Sequence, residues 1–427
     1  MPEASRRVAV IGAGVAGLCT LRNLLYTDKT YILTCFERGP DVGGLWFYGE
    51  NTHTEEKGLP AFRSVYRDLV TSIPKQLMEF PDFPHKDGSS YLHRQQVCDY
   101  LQRYADNFGL RKYIKMNTCV QAVIPNNNER CTTWTVEYYD VRKKQKIRSD
   151  VFDYVIVCTG HHENSYTPKL EGIDDFQGDV LHILDYRVPE PFAGKTVAIL
   201  GAAFSGVDVA FRSSSTAKKV FLCHDKKPLQ TKLPPNVIEK PGIKRMTKTG
   251  ILFNDATQEE DVDALIFCTG YRAEYPFLST DILQIERQRI TPLYKHFVHI
   301  KFPTLFFVGI PKLLCYFPQS YAIARAIVAI MNGKVKLPSE AEMLEDEEQE
   351  FAQRKKEGFG PNKAHFMGDG DRQWRFNKEI AEIGGFDPLP ATFQRLWDYV
   401  TVQRDFIFGS FRKHNFRIMD FDKFMEV

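Results

Sequence analysis

The nine cysteines of this 427-residue chain include no C-x-x-C pair, and their number is odd. Several of them, such as Cys158, Cys223 and Cys268, lie in apolar runs, as reduced core cysteines do. This pattern excludes a dithiol reductase, a zinc ribbon and a disulfide-stapled scaffold. We therefore expect a protein of a reducing compartment, the cytoplasm, unless a secretory leader precedes the given sequence.

Long apolar runs and an excess of one charge are also missing. No window of 18 residues is apolar and free of charge, so no membrane-spanning helix is predicted. Lys and Arg number 56 and Asp and Glu 54, giving a net charge of +2. A nucleic-acid binder usually concentrates basic charge, so we expect neither nucleic-acid binding nor a membrane anchor. The length suits two or three domains or one elaborate α/β unit.

A glycine motif follows the first apolar strand. Residues 7–17 read RVAVIGAGVAG, and strand, glycines, helix and a second strand occur in the order of a dinucleotide-binding βαβ unit. Gly12 is predicted to make the tight turn, Gly14 to admit a pyrophosphate, and Gly17 to let helix and strand pack closely. Glu37 ends the second strand, where a carboxylate can accept hydrogen bonds from ribose hydroxyls.

A second copy of the motif reads KTVAILGAAFSG over residues 195–206, with Ala203 in place of the middle glycine. We expect that methyl group to push the backbone slightly off a phosphate. Lys226 and Lys227, rather than an acid, follow the next strand. Cations there suit a 2′-phosphate and favour NADP over NAD, although Asp225 opposes this and a merely solvated basic turn is the alternative.

The helix of the second motif opens with Ser205 and Gly206, whose amides can bind a pyrophosphate. Asp208 is interpreted as a complement to the dipole of that helix. Two further apolar strands end in Thr159-Gly160 and Thr269-Gly270, which indicates buried parallel strands that turn back at a domain junction. The simplest topology places one nucleotide-binding domain, residues 166–285, inside another.

The C-terminal third carries weaker signals. A capping box at Ser339–Glu342 predicts a helix to about residue 357. Residues 374–416 alternate aromatic and basic side chains, which favours core packing or a subunit contact over nucleic-acid binding. Formation of a homo-oligomer is therefore a further expectation.

Two dinucleotide sites in one chain indicate an electron relay from a nicotinamide through a tightly held flavin to an acceptor. The segment shortly after Glu37 contains Gly44, Leu45 and Trp46. A glycine here lets the backbone approach a cofactor. Trp46 could pack against one side of a flat ring, although a role in the core is more common for a tryptophan. No dithiol, metal cluster or second redox centre is predicted. Molecular oxygen is therefore the predicted acceptor.

Several ordered segments resemble the flavin-containing monooxygenase family, the class B flavoprotein monooxygenases. Residues 176–186, FQGDVLHILDY, resemble its fingerprint F-x-G-x-x-x-H-x-x-x-[YF] and lie between the two glycine motifs. Glu37 with Gly44–Trp46 resembles the flavin segment of that family. Residues 267–271 resemble the family's second strand end, and residues 66–84 resemble its active-site approach. The similarity covers about residues 7 to 335. The short length and C-terminal segment resemble the insect branch, which includes pyrrolizidine-alkaloid N-oxygenases.

This resemblance implies an α/β fold with two Rossmann-like domains, an FAD domain (1–165 and 286–427, the latter with a helical extension) and an inserted NADP domain (166–285). It implies that NADPH reduces FAD, that O2 adds at flavin C4a, and that a soft nucleophile, a tertiary amine such as an alkaloid or a sulfide, attacks the distal oxygen of the hydroperoxide. Retained NADP⁺ shields the adduct from water. The implied cofactor-binding residues are Gly12, Ala13, Gly14, Val15, Ala16, Gly17, Glu37, Arg38, Gly44, Leu45, Trp46, Thr71, Ser72, Val120, Thr159, Gly160, Ala203, Phe204, Ser205, Gly206, Lys226, Lys227, Thr269 and Gly270.

The chain departs from the family pattern at one site residue. It has Thr71-Ser72-Ile73-Pro74-Lys75 where the family usually has T-N-x-P-K. The Ser72 hydroxyl is shorter than an asparagine amide and cannot offer a donor and an acceptor at the same reach. Ser72 stays the candidate that positions the adduct or NADP, and an uncoupled NADPH oxidase is one alternative function. A Baeyer–Villiger oxygenase is another, disfavoured because the fingerprint ends in Tyr186-Arg187 without that group's tryptophan.

Overall fold

The computed structural model of the chain describes residues 5–49, 64–127, 132–143, 147–161, 163–368 and 370–427. Its α-helices in this part of the chain are α1 Val15–Leu25, α2 Arg94–Asn107, α3 Phe204–Ser213, α4 Tyr316–Met331, α5 Glu340–Lys356, α6 Arg372–Gly384 and α7 Ala391–Phe406. The strands are β1 Arg6–Ile11, β2 Tyr31–Phe36, β3 Ile114–Lys115, β4 Thr118–Asn127, β5 Thr132–Asp140, β6 Arg148–Phe152, β7 Tyr154–Val157, β8 Asn164–Ser165, β9 Asp179–His182, β10 Thr196–Leu200, β11 Lys219–Cys223, β12 Val237–Lys240, β13 Ile243–Met246, β14 Ile251–Phe253, β15 Gln258–Glu259, β16 Ala264–Phe267, β17 Tyr271–Arg272, β18 Gln284–Glu286, β19 Arg289–Thr291, β20 Leu293–Tyr294, β21 Val298–His299, β22 Leu305–Phe307, β23 Phe416–Ile418 and β24 Phe424–Glu426.

The first sheet has the strand order β20-β21-β22-β7-β1-β2-β3. Its strands from β22 to β3 are parallel, while β20 and β21 add an antiparallel edge. Helices α1 and α4 cover one face around Leu18 and Ile323, and the antiparallel sheet β4-β5-β6 covers the other with the fully buried Trp134. Burial on both faces explains why residues 8–11 of β1 and all of β7 are apolar.

The second sheet repeats this plan. Its order is β12-β11-β10-β16-β9, and all of its pairs are parallel. Helices α3 and α7 pack on one face, around Val209 and Leu396, and the small antiparallel sheet β13-β14-β15 packs on the other, around Phe253. The predicted α/β fold with two Rossmann-like domains is confirmed.

The chain crosses between the sheets twice, and the two crossings pair with each other. Ser165 of β8 lies opposite Tyr271 of β17 in an antiparallel pair. Beyond that crossing, Tyr275 and Phe277 are buried with the core of the first sheet, and the amide of Val123 in β4 donates to the carbonyl of Phe277 at 2.8 Å. The domain division at residues 166 and 285 remains a proposal, and this packing favours a second boundary nearer residue 271.

The C-terminal extension is helical and joins both cores. Phe376 is buried with the core of the first sheet, whereas Trp374, Trp397 and Phe411 are buried with that of the second. Most aromatic residues of this segment therefore pack inside the protein, as expected, while Tyr399 and Phe406 are exposed. The capping box of α5 also forms, with Ser339 as its N-cap. In the described residues, no helix combines the length and the apolar character needed to cross a membrane.

Candidate active site

The first glycine turn joins β1 to α1. Gly12 has a φ of +103°, and a Cβ on it would lie 2.6 Å from the carbonyl oxygen of Cys158. A Cβ on Gly17 would lie 1.8 Å from the carbonyl oxygen of Gly12. Any side chain at either position would overlap the backbone, so both glycines are required for this turn and for the packing of α1 on the sheet.

A second loop closes over this turn. Gly43 and Gly44 have φ values of +122° and +52°, and a Cβ on Gly44 would lie 2.9 Å from Cα of Gly14. Leu45 and Trp46 follow in a short 3-10 helix, and Trp46 packs partly buried against the core of the first sheet. The two loops thus form a backbone cradle, lined by Gly14 and Gly44, in which a cofactor can approach the main chain.

Helix α1 begins at the cradle with its first amides uncapped. Its N-cap is Gly14, which provides no side-chain hydrogen bond. The first amides of a helix have no partner inside the helix, and a phosphate satisfies them well. The cradle and the helix N-terminus therefore fit a pyrophosphate such as that of FAD, which could meet the amides of Val15 and Ala16, whereas the amide of Ala13 is bonded to Glu37.

Glu37 lies directly after β2, beside the same turn. Its carboxylate accepts hydrogen bonds from the amides of Ala13 at 2.7 Å and Gly39 at 2.6 Å. This position next to the glycine turn suits the recognition of ribose hydroxyls. Val120 is near as well, since the amide of Thr118 at the start of β4 donates to the carbonyl of Glu37 at 2.8 Å.

Arg38, next to Glu37, forms an ion pair within the protein. Its guanidinium lies 2.9 Å from the carboxylate of Glu163, which follows β7 and directly precedes β8. Burial raises the pKa of Glu163, while Arg38 opposes that shift. Part of the positive charge of Arg38 is therefore neutralised by Glu163 rather than left for a cofactor.

The second glycine turn reproduces the first. A Cβ on Gly201 would lie 2.5 Å from the carbonyl oxygen of Cys268, and one on Gly206 would lie 1.7 Å from the carbonyl oxygen of Gly201. Each of these two distances is within about 0.1 Å of the corresponding distance for Gly12 or Gly17. The sequence repeat is thus a repeat of three-dimensional structure, with a second helix N-terminus at the carboxyl end of a parallel sheet.

Ala203 does not distort this turn. Its φ and ψ of −81° and −178° resemble those of Gly14, −83° and −160°. The side chain of Ala203 is exposed, so its methyl group fits without moving the backbone. The expected displacement from a phosphate is not present in the turn itself, and Phe204 and Ser205 begin α3 as the residues at 15 and 16 begin α1.

The charges beyond β11 favour a phosphate. Lys226 and Lys227 are exposed at the carboxyl end of this strand. The carboxylate of Asp225 accepts from Asn254 Nδ2 and the Gly242 amide, both at 2.9 Å, and these bonds lower the pKa of Asp225. Because both partners of Asp225 are neutral, its carboxylate stays ionised, and its negative charge still offsets part of the positive charge of Lys226 and Lys227.

The two Thr-Gly turns lie at equivalent places behind the glycine turns. The amide of Cys158, before Thr159 and Gly160, donates to Ile11 at 2.8 Å, and that of Cys268, before Thr269 and Gly270, donates to Leu200 at 2.8 Å. The second turn is also tied to the crossing between the sheets, since the amide of Tyr166 donates to the carbonyl of Gly270 at 2.9 Å. His182, the last residue of β9, lies edge-on to Tyr271 at 5.3 Å, and burial lowers its pKa, so this histidine packs beside the crossing between the two sheets.

Thr71 and Ser72 lie where the two cores meet. Ile73, the next residue, packs against both of them. The hydroxyl of Thr71 accepts from the Leu92 amide at 3.0 Å and the Thr71 amide donates to the Leu92 carbonyl at 2.9 Å. The half-buried Ser72 is thus carried on a loop that is fixed at its preceding residue and whose next residue packs against both cores.

One buried carboxylate near this loop was misinterpreted from the sequence. Asp208 in α3 does not serve merely as a dipole complement: its side chain is 2% exposed and lies 2.8 Å from Arg212 and 2.9 Å from Arg412. Tyr66 also donates a short hydrogen bond to it, and burial raises the pKa of Tyr66 so that the phenol stays protonated. The i, i+4 spacing predicts the Arg212 pair, but nothing in the sequence points to Arg412.

Comparison with known proteins agrees with this geometry. The family model described as flavin-binding monooxygenase-like matches residues 5–229 and 224–424. Flavin-containing monooxygenase FMO GS-OX-like 6 of Arabidopsis thaliana is 33% identical over 388 residues, which cover 87% of this chain and 81% of that protein. Flavin-containing monooxygenase 5 of Cavia porcellus is 31% identical over 463 residues, with coverages of 90% and 83%. The solved structure of S-allyl-L-cysteine S-oxygenase from Allium sativum superposes with a TM-score of 0.86 at 30% identity, covering 96% of this chain and 95% of that one.

Proposed function

Because this chain belongs to the flavin-binding monooxygenase-like family, we propose that it uses NADPH and O2 to oxygenate a soft nucleophile, a tertiary amine or a sulfide. FAD and NADPH are the standard cofactors of the family. The observation that carries the proposal is the repeated glycine turn at Gly12 and Gly201, on two sheets whose cores meet at the Thr71–Ser72 loop.

In this proposal the residues of the first turn hold FAD. The cradle of Gly14 and Gly44 admits the pyrophosphate, the first amides of α1 donate to it, and Glu37 accepts hydrogen bonds from the ribose. FAD, when bound, supplies the redox chemistry, because it accepts two electrons from NADPH and passes them to O2.

The residues of the second turn hold NADPH. The first amides of α3 donate to its pyrophosphate, and Lys226 and Lys227 attract its 2′-phosphate. In this proposal the Thr71–Ser72 loop, which is next to a residue that packs on both cores, orients the nicotinamide end and excludes water.

The overall reaction balances without a side-chain acid–base pair. One oxygen atom of O2 forms a bond to the lone pair of the nitrogen or sulfur, and the other leaves as water. The two hydrogens of that water correspond to the hydride of NADPH and one proton. The substrate nitrogen must be unprotonated, because a protonated amine has no lone pair to donate.

The finer substrate assignment is also a proposal. Membership of the insect branch and an alkaloid substrate rest on the chain's length and C-terminal segment, whereas the relatives reported above come from plants and a mammal. The S-oxygenase among the structural neighbours supports including sulfides with amines in the substrate class.

The test is to purify the chain with FAD, mix it anaerobically with NADPH, and then supply O2 with a panel of tertiary amines, sulfides and a cyclic ketone. We expect NADPH to bleach the flavin absorbance, and an amine or sulfide product to gain one oxygen atom by mass. A protein that does not retain FAD, or whose flavin is not bleached by NADPH, would refute the proposal. A lactone product from the ketone would favour a Baeyer–Villiger enzyme, and hydrogen peroxide in amounts equal to the NADPH consumed, whatever the substrate, would favour an oxidase.

A further inference from the structure

Arg412, in the C-terminal extension, makes polar contacts with two other parts of the protein, the loop before Ser72 and helix α3. Its Nε donates to the carbonyl oxygen of Thr71 at 3.1 Å, and its Nη2 donates to that of Val70 at 3.3 Å. The same Nη2 lies 2.9 Å from Asp208 in α3. One guanidinium therefore binds the loop that carries Ser72 and the helix that begins at the second glycine turn.

Each of these partners is itself held in place. Thr71 is bonded to Leu92 through both its amide and its hydroxyl, which ties the loop to the start of α2 on the first sheet. Asp208 is almost completely buried and is also bound by Arg212 and Tyr66. Tyr66 lies five residues before Thr71, so this segment also meets Asp208 directly, and Arg412 adds a second link between the loop and α3.

The surroundings of Arg412 make these contacts specific. Its guanidinium lies 4.7 Å from the ring centre of Phe411, 5.4 Å from that of Phe204 and 5.6 Å from that of Phe408. Its side chain is 20% exposed, so its contacts are partly shielded from water. A guanidinium offers several donors in a fixed plane, whereas an ammonium offers one point of charge. Lysine could keep the attraction to Asp208 but could not reach both carbonyls in the same geometry.

We propose that Arg412 is a positioning residue, which sets the spacing between the Ser72 loop and the NADP-binding helix and so keeps NADPH oxidation coupled to oxygen transfer. The inference rests on the proposed function. The ring of Phe204, the first residue of α3, lies 5.4 Å from the Arg412 guanidinium, so we expect loss of the guanidinium to affect the end of α3 where the pyrophosphate would bind. The uncoupled path gives NADP⁺ and hydrogen peroxide from NADPH, O2 and one proton.

The experiment compares Arg412→Gln and Arg412→Lys with the wild-type chain, and with Lys413→Gln as a matched control. Lys413 is the exposed neighbour of Arg412. The FAD-loaded proteins are scored by peroxide released per NADPH consumed with the best substrate of the panel, and by the dissociation constant of NADP⁺. Amide hydrogen exchange of Thr71 and Leu92 in the FAD-free proteins gives a readout independent of activity.

For Arg412→Gln we expect the peroxide fraction to rise several-fold and NADP⁺ to bind roughly tenfold more weakly, the scale of a lost coupled charge contact. The Thr71 and Leu92 amides should exchange faster, and FAD content should remain that of the wild type. Arg412→Lys should recover NADP⁺ binding in part and the peroxide fraction little. Lys413→Gln should match the wild type throughout.

Wild-type peroxide and NADP⁺ affinity in Arg412→Gln would overturn the inference. If Arg412→Gln does not retain FAD, Arg412→Lys decides, and a wild-type peroxide fraction in that variant would overturn it too. Failure of the proposed function would look different, because the wild-type protein itself would then oxygenate no member of the panel. In that case unchanged NADP⁺ binding and amide exchange in Arg412→Gln would still count against the positioning role.

Discussion

The contact between Gly14 and Gly44 allows a quantitative prediction for the substitution Gly44→Ala. Gly44 has a φ of +52°, and an alanine Cβ would lie 2.9 Å from Cα of Gly14. A left-handed backbone costs a non-glycine residue roughly 1–2 kcal/mol. Ordinary carbon–carbon contacts are about 3.5–4.0 Å, so the two loops must also separate by more than about half an ångström.

Gly109→Ala is the matched control. Gly109 has a φ of +62°, and a Cβ there would have no heavy atom within 4 Å, neighbouring residues aside. Both substitutions therefore carry the cost of a left-handed alanine, but only Gly44→Ala opens the cradle. We expect both to lower the free energy of unfolding of the FAD-free protein by roughly 1–2 kcal/mol, with a further loss for Gly44→Ala.

The assay is titration of the FAD-free proteins with FAD, followed by flavin fluorescence, beside urea unfolding of the same samples. Gly109→Ala should bind FAD like the wild type. Gly44→Ala should bind it at least about tenfold more weakly, which corresponds to about 1.4 kcal/mol, because the pyrophosphate can no longer meet both backbones. Equal FAD affinities for the two variants would refute the cradle as the FAD site.

Three further predictions address the charges and the departures from the family pattern. Burial raises the pKa of Glu79 to about 7; the folded protein then binds more protons than the unfolded chain between pH 4.5 and 7, so this group lowers stability as pH rises through that window. Glu79→Gln should thus be more stable than the wild type at pH 8, by up to about 3 kcal/mol, and lose that advantage at pH 4.5; a pH-independent difference in urea unfolding would contradict this. Replacing Ser72 by Asn should lower the peroxide fraction if the missing amide causes leakage, and an unchanged peroxide yield in the same oxidation assay would exclude that cause. The double substitution Lys226→Ala and Lys227→Ala should raise KM for NADPH roughly tenfold, at about 0.5–1 kcal/mol for each exposed ion pair. Its activity with NADH should change little, and so should the KM for NADPH of the control Lys218→Ala, at the opposite end of the same strand. An equal loss with NADH would argue against a 2′-phosphate site.

The sequence was most informative where a function depends on short spacing. The motifs at Gly12–Gly17 and Gly201–Gly206 predict strand, turn and helix because only glycine fits positions where a Cβ would meet a carbonyl oxygen at 1.7–2.6 Å. The continuous apolar strands predict parallel sheets buried on both faces. The aromatic residues of the C-terminal segment predict a packed region, and the structure has them buried in two cores.

Interpretation of isolated side chains was less successful. The position of Asp208 near a helix start predicts a dipole complement, whereas the structure has it at the centre of a buried charge cluster. Ala203 was expected to displace the backbone, yet its dihedral angles follow those of Gly14. Asp225 opposes NADP from its place in the sequence, and in the structure its two neutral partners, Asn254 and Gly242, leave its charge in place.

Local sequence therefore determined the two dinucleotide turns, the fold class and the family resemblance, because helix, strand and turn preferences act over a few residues. Tertiary structure alone decided what joins those turns. Arg412 lies 341 residues from Thr71, and its contacts with Thr71 and Asp208 exist only after both sheets and the C-terminal extension have packed. A charge network between distant segments has no sequence period, since its geometry is set by how whole elements pack rather than by the preferences of neighbouring residues.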